Sequence, residues 1–335
     1  MTTQEFYHGK EYNSIVIGLS AAATWTWAPA LILSSDIAAN KGIIGMMSFI
    51  IPNILALWLF AMIGQRMSPL TLWESPLIRS IFHLGYGAVE FFCVLIQVTA
   101  GSNVLQKAYG IPYHLSVLIF LGMALFLSYR KGLHGTIISN KYEQVCLIVF
   151  SCFLAVTAFH QQGSTVEIKN GVFSLKDTIL YTLILFSGPI MTNQHWQRAE
   201  KRGYLWAGIL FGLPLFCIAS IGLFSGVSGE YVSFQIFTSP TSKGILVLMV
   251  MSGLFSTLQS SFTSIISIFG GEETLLNARI KMSGLAFIAL AIILMNINLL
   301  TLWTSMGIFR VVLAIGVLIR LYVYQRRSTF LFNPL

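Results

Sequence analysis

The stretch SAAATWTWAPALILSSDIAANKG, from Ser20 to Gly42, combines an apolar composition with groups that lipid does not favour. Two tryptophans flank Thr26, Pro29 lies in the middle, and Asp36 follows. A membrane helix tolerates such groups where they face other helices or a water-filled cavity. The stretch therefore predicts a membrane helix whose polar, interrupted part faces the interior of the protein.

The whole chain has the composition of a membrane protein. Of its 335 residues, 56% are hydrophobic and 10% are charged, and the mean hydropathy is +0.77. Soluble domains carry about 25% charged residues. The net charge of +8 is scattered between apolar runs, which favours positive loops over nucleic-acid binding. The four cysteines lie in apolar runs without metal-type spacing, so no metal-thiolate site is expected.

Hydropathy over a window of about 19 residues predicts ten helical membrane spans. They are Ile15–Ser35, Ile43–Ile63, Ile81–Val104, Leu115–Tyr129, Tyr142–Phe159, Leu175–Met191, Leu205–Gly226, Gly244–Gly270, Met282–Ile297 and Leu300–Tyr322. This count places fourteen lysines and arginines on the side of the N-terminus and five on the other side. The positive-inside rule then predicts a multi-pass cell-membrane protein with both termini in the cytoplasm.

The loop HQQGSTVEIKNGVFSLKD, residues 160–177, divides the chain into residues 1–160 and 161–335. Five spans in each half with opposite orientation predict an inverted repeat, in which span 1 corresponds to span 6. Span 1 contains Pro29 and span 6 contains Gly188 and Pro189, so both are predicted to be broken, because proline removes a backbone donor. Paired interruptions point to a transporter's binding site, and the alternative is a simple proline kink.

Span 8 carries a polar stripe on one helix face. Its members are Gly253, Ser256, Thr257, Ser260, Ser264 and Ser267. Hydroxyl and carbonyl oxygens are ligands for hard cations, whereas small-residue helix packing is the competing explanation. Ser256 and Thr257, adjacent and near mid-depth, are the predicted cation ligands.

Span 3 places His83, Glu90 and Gln97 on one face, at steps of seven residues. A carboxylate at membrane mid-depth is by default a functional hypothesis. Glu90 is a candidate proton carrier, a candidate solute contact, or a structural partner for Arg310 in span 10.

Four motifs carry a family resemblance: TWTWAPALILSSDIAANKGIIG, GLHGTIISNKYE, GPIMTNQHWQRA and MSGLFSTLQSSFTSI. With them the chain resembles the solute:sodium symporter family, and most closely its urea-transporting branch. The resemblance implies a LeuT-type fold and alternating access. It also implies a sodium site, matched here by Ala23, Thr26, Gly253, Ser256 and Thr257. The implied solute contacts are Trp25, Trp27, Glu90, Ser187, Gly188 and Pro189.

The chain departs from the family at one motif. Many sodium-coupled members have a Thr-Asp pair where this chain has Ser139 and Asn140, with Glu143 three residues on. The missing aspartate argues against a second sodium site. A titrating carboxylate at Glu90 or Glu143 would instead support proton coupling.

The leading hypothesis is sodium-driven symport of a small polar solute such as urea, without an organic cofactor. The alternatives are proton-coupled symport, and a transporter-like sensor or assembly subunit without net flux, which the short chain motivates. Enzymatic activity is not expected, because the sequence has no Cys/His/Asp constellation.

Overall fold

The computed structural model describes residues 11–64, 69–162, 175–270, 275–294 and 299–332, and all regular structure in these ranges is helical. A short 3-10 turn covers Pro69–Leu72. The helices are α1 (Ser14–Trp25), α2 (Ala28–Ile63), α3 (Pro76–Tyr109), α4 (Tyr113–Gln162), α5 (Leu175–Met191), α6 (Asn193–Arg198), α7 (Lys201–Phe224), α8 (Val232–Ile236), α9 (Pro240–Gly270), α10 (Leu275–Ile293) and α11 (Leu299–Phe332).

Six helical segments in the described ranges are long and apolar enough to cross a bilayer. They are Ala28–Ile63, Pro76–Tyr109, Gly132–His160, Lys201–Phe224, Pro240–Phe269 and Leu302–Tyr324, and three shorter apolar helices accompany them. Large apolar side chains such as Val156 and Phe287 are 68% and 73% exposed, as lipid-facing residues are. The chain is thus an all-helical, multi-pass membrane protein, whereas the count of ten spans is not established by these lengths.

Two long helices bend sharply at a glycine. Gly42 in α2 has φ 64° and Gly132 in α4 has φ 49°, a region that side-chain-bearing residues rarely adopt. Gly42 separates predicted spans 1 and 2, and Gly132 separates predicted spans 4 and 5. A single glycine therefore suffices to turn one helical segment into the next.

Predicted span 1 is interrupted, but the prediction that span 6, Leu175–Met191, is broken was wrong, since the break directly follows it, and the break in span 1 does not lie at Pro29. In span 1, α1 ends at Trp25 and the non-helical residues are Thr26 and Trp27, while Pro29 lies in the first turn of α2. Proline is tolerated there because the first N–H groups of a helix have no intrahelical partner. In span 6, α5 continues through Pro189 to Met191, and the break is at Thr192.

The packing surrounds the first break with other helices. Helix α1 packs on α7 and α4, α2 packs along α7 and α5, and α9 packs against α3 and α4. The end of α1 consequently lies in the protein interior, where Trp25 is 3% exposed and Thr26 is fully buried.

Candidate functional site

The end of α1 contacts the middle of α9 through carbonyl oxygens and hydroxyls. Ser256 Oγ donates to the carbonyl of Ala23 at 2.6 Å, and Thr257 Oγ1 donates to the carbonyl of Thr24 at 3.1 Å. Both hydroxyls also lie near the carbonyl of Gly253, at 3.0 and 3.1 Å. The α1 carbonyls are available to them because a helix end lacks the N–H donors of a following turn.

Gly253 lets the two helices approach closely. A Cβ at this position would lie 2.7 Å from the carbonyl oxygen of Thr26. The five residues predicted to bind sodium are therefore together, all buried, and offer three carbonyl and two hydroxyl oxygens. Uncharged oxygen ligands suit a monovalent hard cation, and the described part of the chain contains no cluster of His, Cys, Asp and Glu that would hold a transition metal.

Asn140, predicted as a coupling residue, lies directly beside this cluster. Its amide is 2.8 Å from Thr24 Oγ1 and 3.1 Å from Ser260 Oγ. With the amide oxygen on that side it accepts from both hydroxyls, and its nitrogen then donates to the Thr136 carbonyl at 3.0 Å and to Glu143 Oε2 at 3.3 Å. Asn140 and Glu143 thus belong to one hydrogen-bonded group that reaches α1 through Thr24.

A buried arginine lies at one end of the same group. Arg198 of α6 is 1% exposed and donates to Ser20 Oγ and Ser260 Oγ, both at 3.2 Å, and to the Gln194 carbonyl at 2.9 Å. Its guanidinium links α1, α6 and α9. The sequence contained Arg198 only as one of many loop cations, and its burial depends on contacts between distant segments.

Helix α3 caps both interrupted segments. Gln97 Oε1 accepts from the N–H of Ala28, the first residue of α2, at 3.2 Å. Glu90 Oε1 accepts from the N–H of Gln194 at 3.2 Å and from Ser264 Oγ at 2.8 Å. The shared face of Glu90 and Gln97 therefore satisfies donors that each break leaves without a helical acceptor.

Glu90 does not pair with Arg310. Glu90 and Arg310 both lie in the described part of the chain, and they do not form the ion pair that was one of the predicted alternatives for Glu90. Arg310 instead donates to the Ile184 carbonyl at 3.2 Å. One oxygen of the Glu90 carboxylate, Oε1, is held by a backbone N–H of α6 and a hydroxyl of α9.

A partly open cavity lies beside the first break. Its walls are formed by Trp25, Trp27, Pro29, Ala30, Leu33, Phe49, Asn53, Leu185, Trp303 and Arg310. The two tryptophans of the opening stretch thus line it, as predicted contacts of a solute would.

The other predicted solute contacts do not line this cavity. Gly188 packs against the Trp25 ring, Ser187 Oγ donates to the Ile184 carbonyl at 2.8 Å, and Pro189 and Glu90 are buried elsewhere. The helix is unbroken at these positions, so its side chains are directed by helix packing. Sequence reasoning missed Asn53, although a lone amide after a proline in an apolar run is a usable signal.

Comparison with known proteins supports the fold. No family model matches the chain. The chain is 22% identical over 187 residues to the sodium/pantothenate symporter of Escherichia coli (strain K12). This match covers 51% of the chain and 38% of the symporter, well under half of the relative's length.

Solved structures are similar over most of the chain. A Na⁺-coupled sialic acid symporter in a substrate-bound outward-open state has a TM-score of 0.64 at 13% identity, with 95% of this chain and 77% of that chain covered. A nucleobase-cation-symport-1 family transporter, in a closed conformation with bromovinylhydantoin bound, gives 0.54 at 11%, covering 86% and 72%. A manganese transporter of Eremococcus coleocola gives 0.54 at 15%, covering 92% and 78%.

The chain has the fold of these transporters. This confirms the prediction of a LeuT-like transporter fold. The relatives are transporters rather than enzymes, in agreement with the expectation from the sequence. None of their names gives urea as a solute, so the urea-transporting branch of the family is not supported.

Proposed function

We propose that the chain is a sodium-coupled symporter that moves a small polar solute across the cell membrane by alternating access. The observation that carries this proposal is the contact between the end of α1 and α9, where three carbonyl and two hydroxyl oxygens converge without a charged ligand. Sodium coupling in the named relatives supports the choice of ion. Urea is one candidate solute.

The proposal includes the topology expected from the sequence. Ten spans form two inverted repeats, residues 1–160 and 161–335, with both termini in the cytoplasm. The glycine bends at Gly42 and Gly132 support this count, because each divides one continuous helix into two consecutive spans.

In this orientation the structure corresponds to an outward-facing or occluded state. Leu33 and Trp303 line the cavity and lie towards the outer ends of spans 1 and 10. On the cytoplasmic side the path is closed by polar contacts, including the Arg198–Ser20 hydrogen bond and the contact of Tyr12 with His134. Inward release would require these contacts to separate.

One sodium ion per cycle is favoured over two. A second cation near Asn140 would lie beside Ser260, whose hydroxyl already receives the Arg198 guanidinium at 3.2 Å. Like charges at such short range are strongly disfavoured in a buried site. The fixed arginine therefore takes the place of a second mobile cation.

The test compares sodium binding and uptake in purified protein. Ser256→Ala combined with Thr257→Val removes both hydroxyls at nearly constant volume. We expect equilibrium binding of radioactive sodium to weaken by about tenfold or more, since each lost ligand is a lost charge-assisted contact. Ser252→Ala, which removes a hydroxyl bonded within its own helix, is the matched control.

Uptake of labelled solutes into proteoliposomes under an inward sodium gradient separates the mechanisms. Sodium-stimulated uptake that persists in the double variant would refute the cation site. Solute binding without accumulation would favour the sensor alternative. Accumulation driven by a pH gradient alone would favour proton coupling, for which the buried Glu90 Oε2, without a hydrogen-bond partner, is the supporting observation.

A further inference from the structure

The cavity wall contains a buried guanidinium with unused donors. Arg310 of α11 is 1% exposed, and only its Nη2 atom has a hydrogen bond, to the Ile184 carbonyl. Its Nε and Nη1 atoms have no hydrogen-bond partner. The guanidinium carbon lies 5.4 Å from the centre of the Trp27 ring, which fixes the group at the cavity wall.

No carboxylate of the described residues neutralises this charge by a direct ion pair. The nearest candidate from the sequence, Glu90, accepts from Gln194 and Ser264 instead. A buried charge without a partner is strongly destabilising, because the desolvation of the ion is not compensated. Such a group is retained in a binding cavity when a ligand supplies the opposite charge.

The remaining polar groups of the cavity favour an acceptor-rich ligand. The indole Nε1 of Trp25 is also buried without a hydrogen-bond partner, and an indole N–H can only donate. Asn53 adds an amide, and the other walls are aromatic or aliphatic. Among the described residues, the cavity lining includes no aspartate or glutamate that could supply the countercharge of a cationic solute.

We propose that the solute carries a carboxylate, which accepts a hydrogen bond from a free N–H donor of Arg310 and a further one from the indole of Trp25. This proposal rests on the proposed function, since it names the class of solute that the transporter carries. Hydrogen bonds from a guanidinium N–H to a carboxylate are charge-assisted and stronger than those to a neutral acceptor. The indole walls then accommodate a planar or apolar body.

The carboxylate would also complement the cation. The proposed sodium site has no acidic ligand, and Trp25 and Trp27 flank Thr26, which belongs to that site. With Arg310 and sodium both positive, an anionic solute would neutralise one of these two charges within the membrane. A neutral solute such as urea would leave both the guanidinium and the sodium uncompensated.

The experiment uses matched acid and neutral probes on the purified full chain in sodium-containing buffer. The pairs are pantothenate and panthenol, nicotinate and nicotinamide, and acetate and acetamide, with urea as a further neutral probe. Binding is read from intrinsic tryptophan fluorescence, because three tryptophans line the cavity, and from ligand-induced thermal stabilisation. We expect at least one acid to bind about tenfold or more tightly than its neutral partner.

Substitution of the arginine tests the assignment. Arg310→Gln should weaken binding of that acid by about 10- to 100-fold and abolish the preference over the neutral partner. Arg310→Lys retains the positive charge but loses the planar guanidinium donors, so it should give an intermediate loss of acid binding. It is the test variant if Arg310→Gln does not fold. Arg279→Gln, which removes an exposed guanidinium on α10, is the matched control.

Two results would overturn the carboxylate proposal. One is that no acid binds the wild-type protein at its highest soluble concentration, or that urea or another neutral probe binds as tightly as the acids. The other is that the Arg310 variants retain the acid preference, which would make Arg310 a structural link to Ile184. Sodium binding to the wild-type protein is measured in the same samples. If an acid binds but sodium does not, the proposed sodium coupling is refuted and the carboxylate proposal stands. If sodium binds but no acid is preferred over its neutral partner, the carboxylate proposal is refuted and the proposed sodium coupling stands.

Discussion

Gly253→Ala is the most direct perturbation of the proposed cation site. The added Cβ would lie 2.7 Å from the Thr26 carbonyl oxygen, about 0.7 Å inside the ordinary contact of 3.4 Å, and 3.6 Å from Leu31 Cδ1. Either the carbonyl or α9 must move by several tenths of an ångström. Because Thr26 O is one of five proposed sodium ligands, we expect sodium affinity to fall by about tenfold or more.

The free energy of unfolding distinguishes a local displacement of the Thr26 carbonyl from a general loss of folding stability. Replacing glycine by alanine inside a helix stabilises it by about 1 kcal/mol, whereas overpacking costs about 1–3 kcal/mol. We expect Gly253→Ala to change the free energy of unfolding by about 0–2 kcal/mol in the destabilising direction. Gly284→Ala on α10, where a Cβ meets nothing within 4 Å, is the control and should show only the gain in helix propensity.

The assay measures sodium binding at equilibrium and thermal unfolding of the same preparations. Loss of sodium affinity in Gly253→Ala with little loss of stability, and neither loss in Gly284→Ala, is the expected pattern. If Gly253→Ala binds sodium with wild-type affinity, Thr26 O is not a ligand and the site has been assigned to the wrong oxygens.

Three further predictions concern the supporting contacts. Pro214 deprives the Leu210 carbonyl of its helical donor, and Gln144 Nε2 donates to that carbonyl at 2.7 Å. Gln144→Leu should therefore lower the free energy of unfolding by about 1–3 kcal/mol in thermal unfolding, and adding Pro214→Ala should recover most of this loss. An equal loss with and without Pro214→Ala would contradict this account. Gln97→Met removes the acceptor at the start of α2 and should lower the unfolding free energy by about 1 kcal/mol, with no change expected if solvent replaces it. Glu90→Gln should leave the pH dependence of sodium-driven uptake unchanged, and a lost pH dependence would mean that this carboxylate titrates during transport.

The faces of the helices could be predicted from the sequence, because helical periodicity alone determines which residues lie on the same side. Ser256 and Thr257 were singled out by that spacing, and the structure brings them to the end of α1. The interruption of span 1 also followed from the sequence, whereas span 6 is helical throughout Leu175–Met191 despite Pro189.

The positions of the breaks could not be predicted, because they depend on contacts between distant residues. A proline is compatible with the first turn of a helix, as at Pro29, and with the interior of a membrane helix, as at Pro189. The breaks lie where α3 offers an acceptor, from Gln97 at the first and from Glu90 at the second. With Oε1 at the second break, Glu90 does not pair with Arg310. The sequence had left this pairing open, because it showed only that both charges lie in membrane spans.

The two breaks differ in the groups that satisfy their carbonyls, and this difference argues for a single cation site. At the second break the Ile190 carbonyl accepts from Tyr86 OH at 2.8 Å and from Trp196 Nε1 at 2.7 Å. Both rings are fully buried, and an indole N–H has no lone pair to offer a cation. At the first break the donors are serine and threonine hydroxyls, which can rotate to present a lone pair and release the carbonyl at the same time. The serine and threonine hydroxyls therefore favour the first break for the proposed sodium ion, and because Trp25 and Trp27 belong to that segment, its rearrangement would also change the wall that contacts the proposed solute.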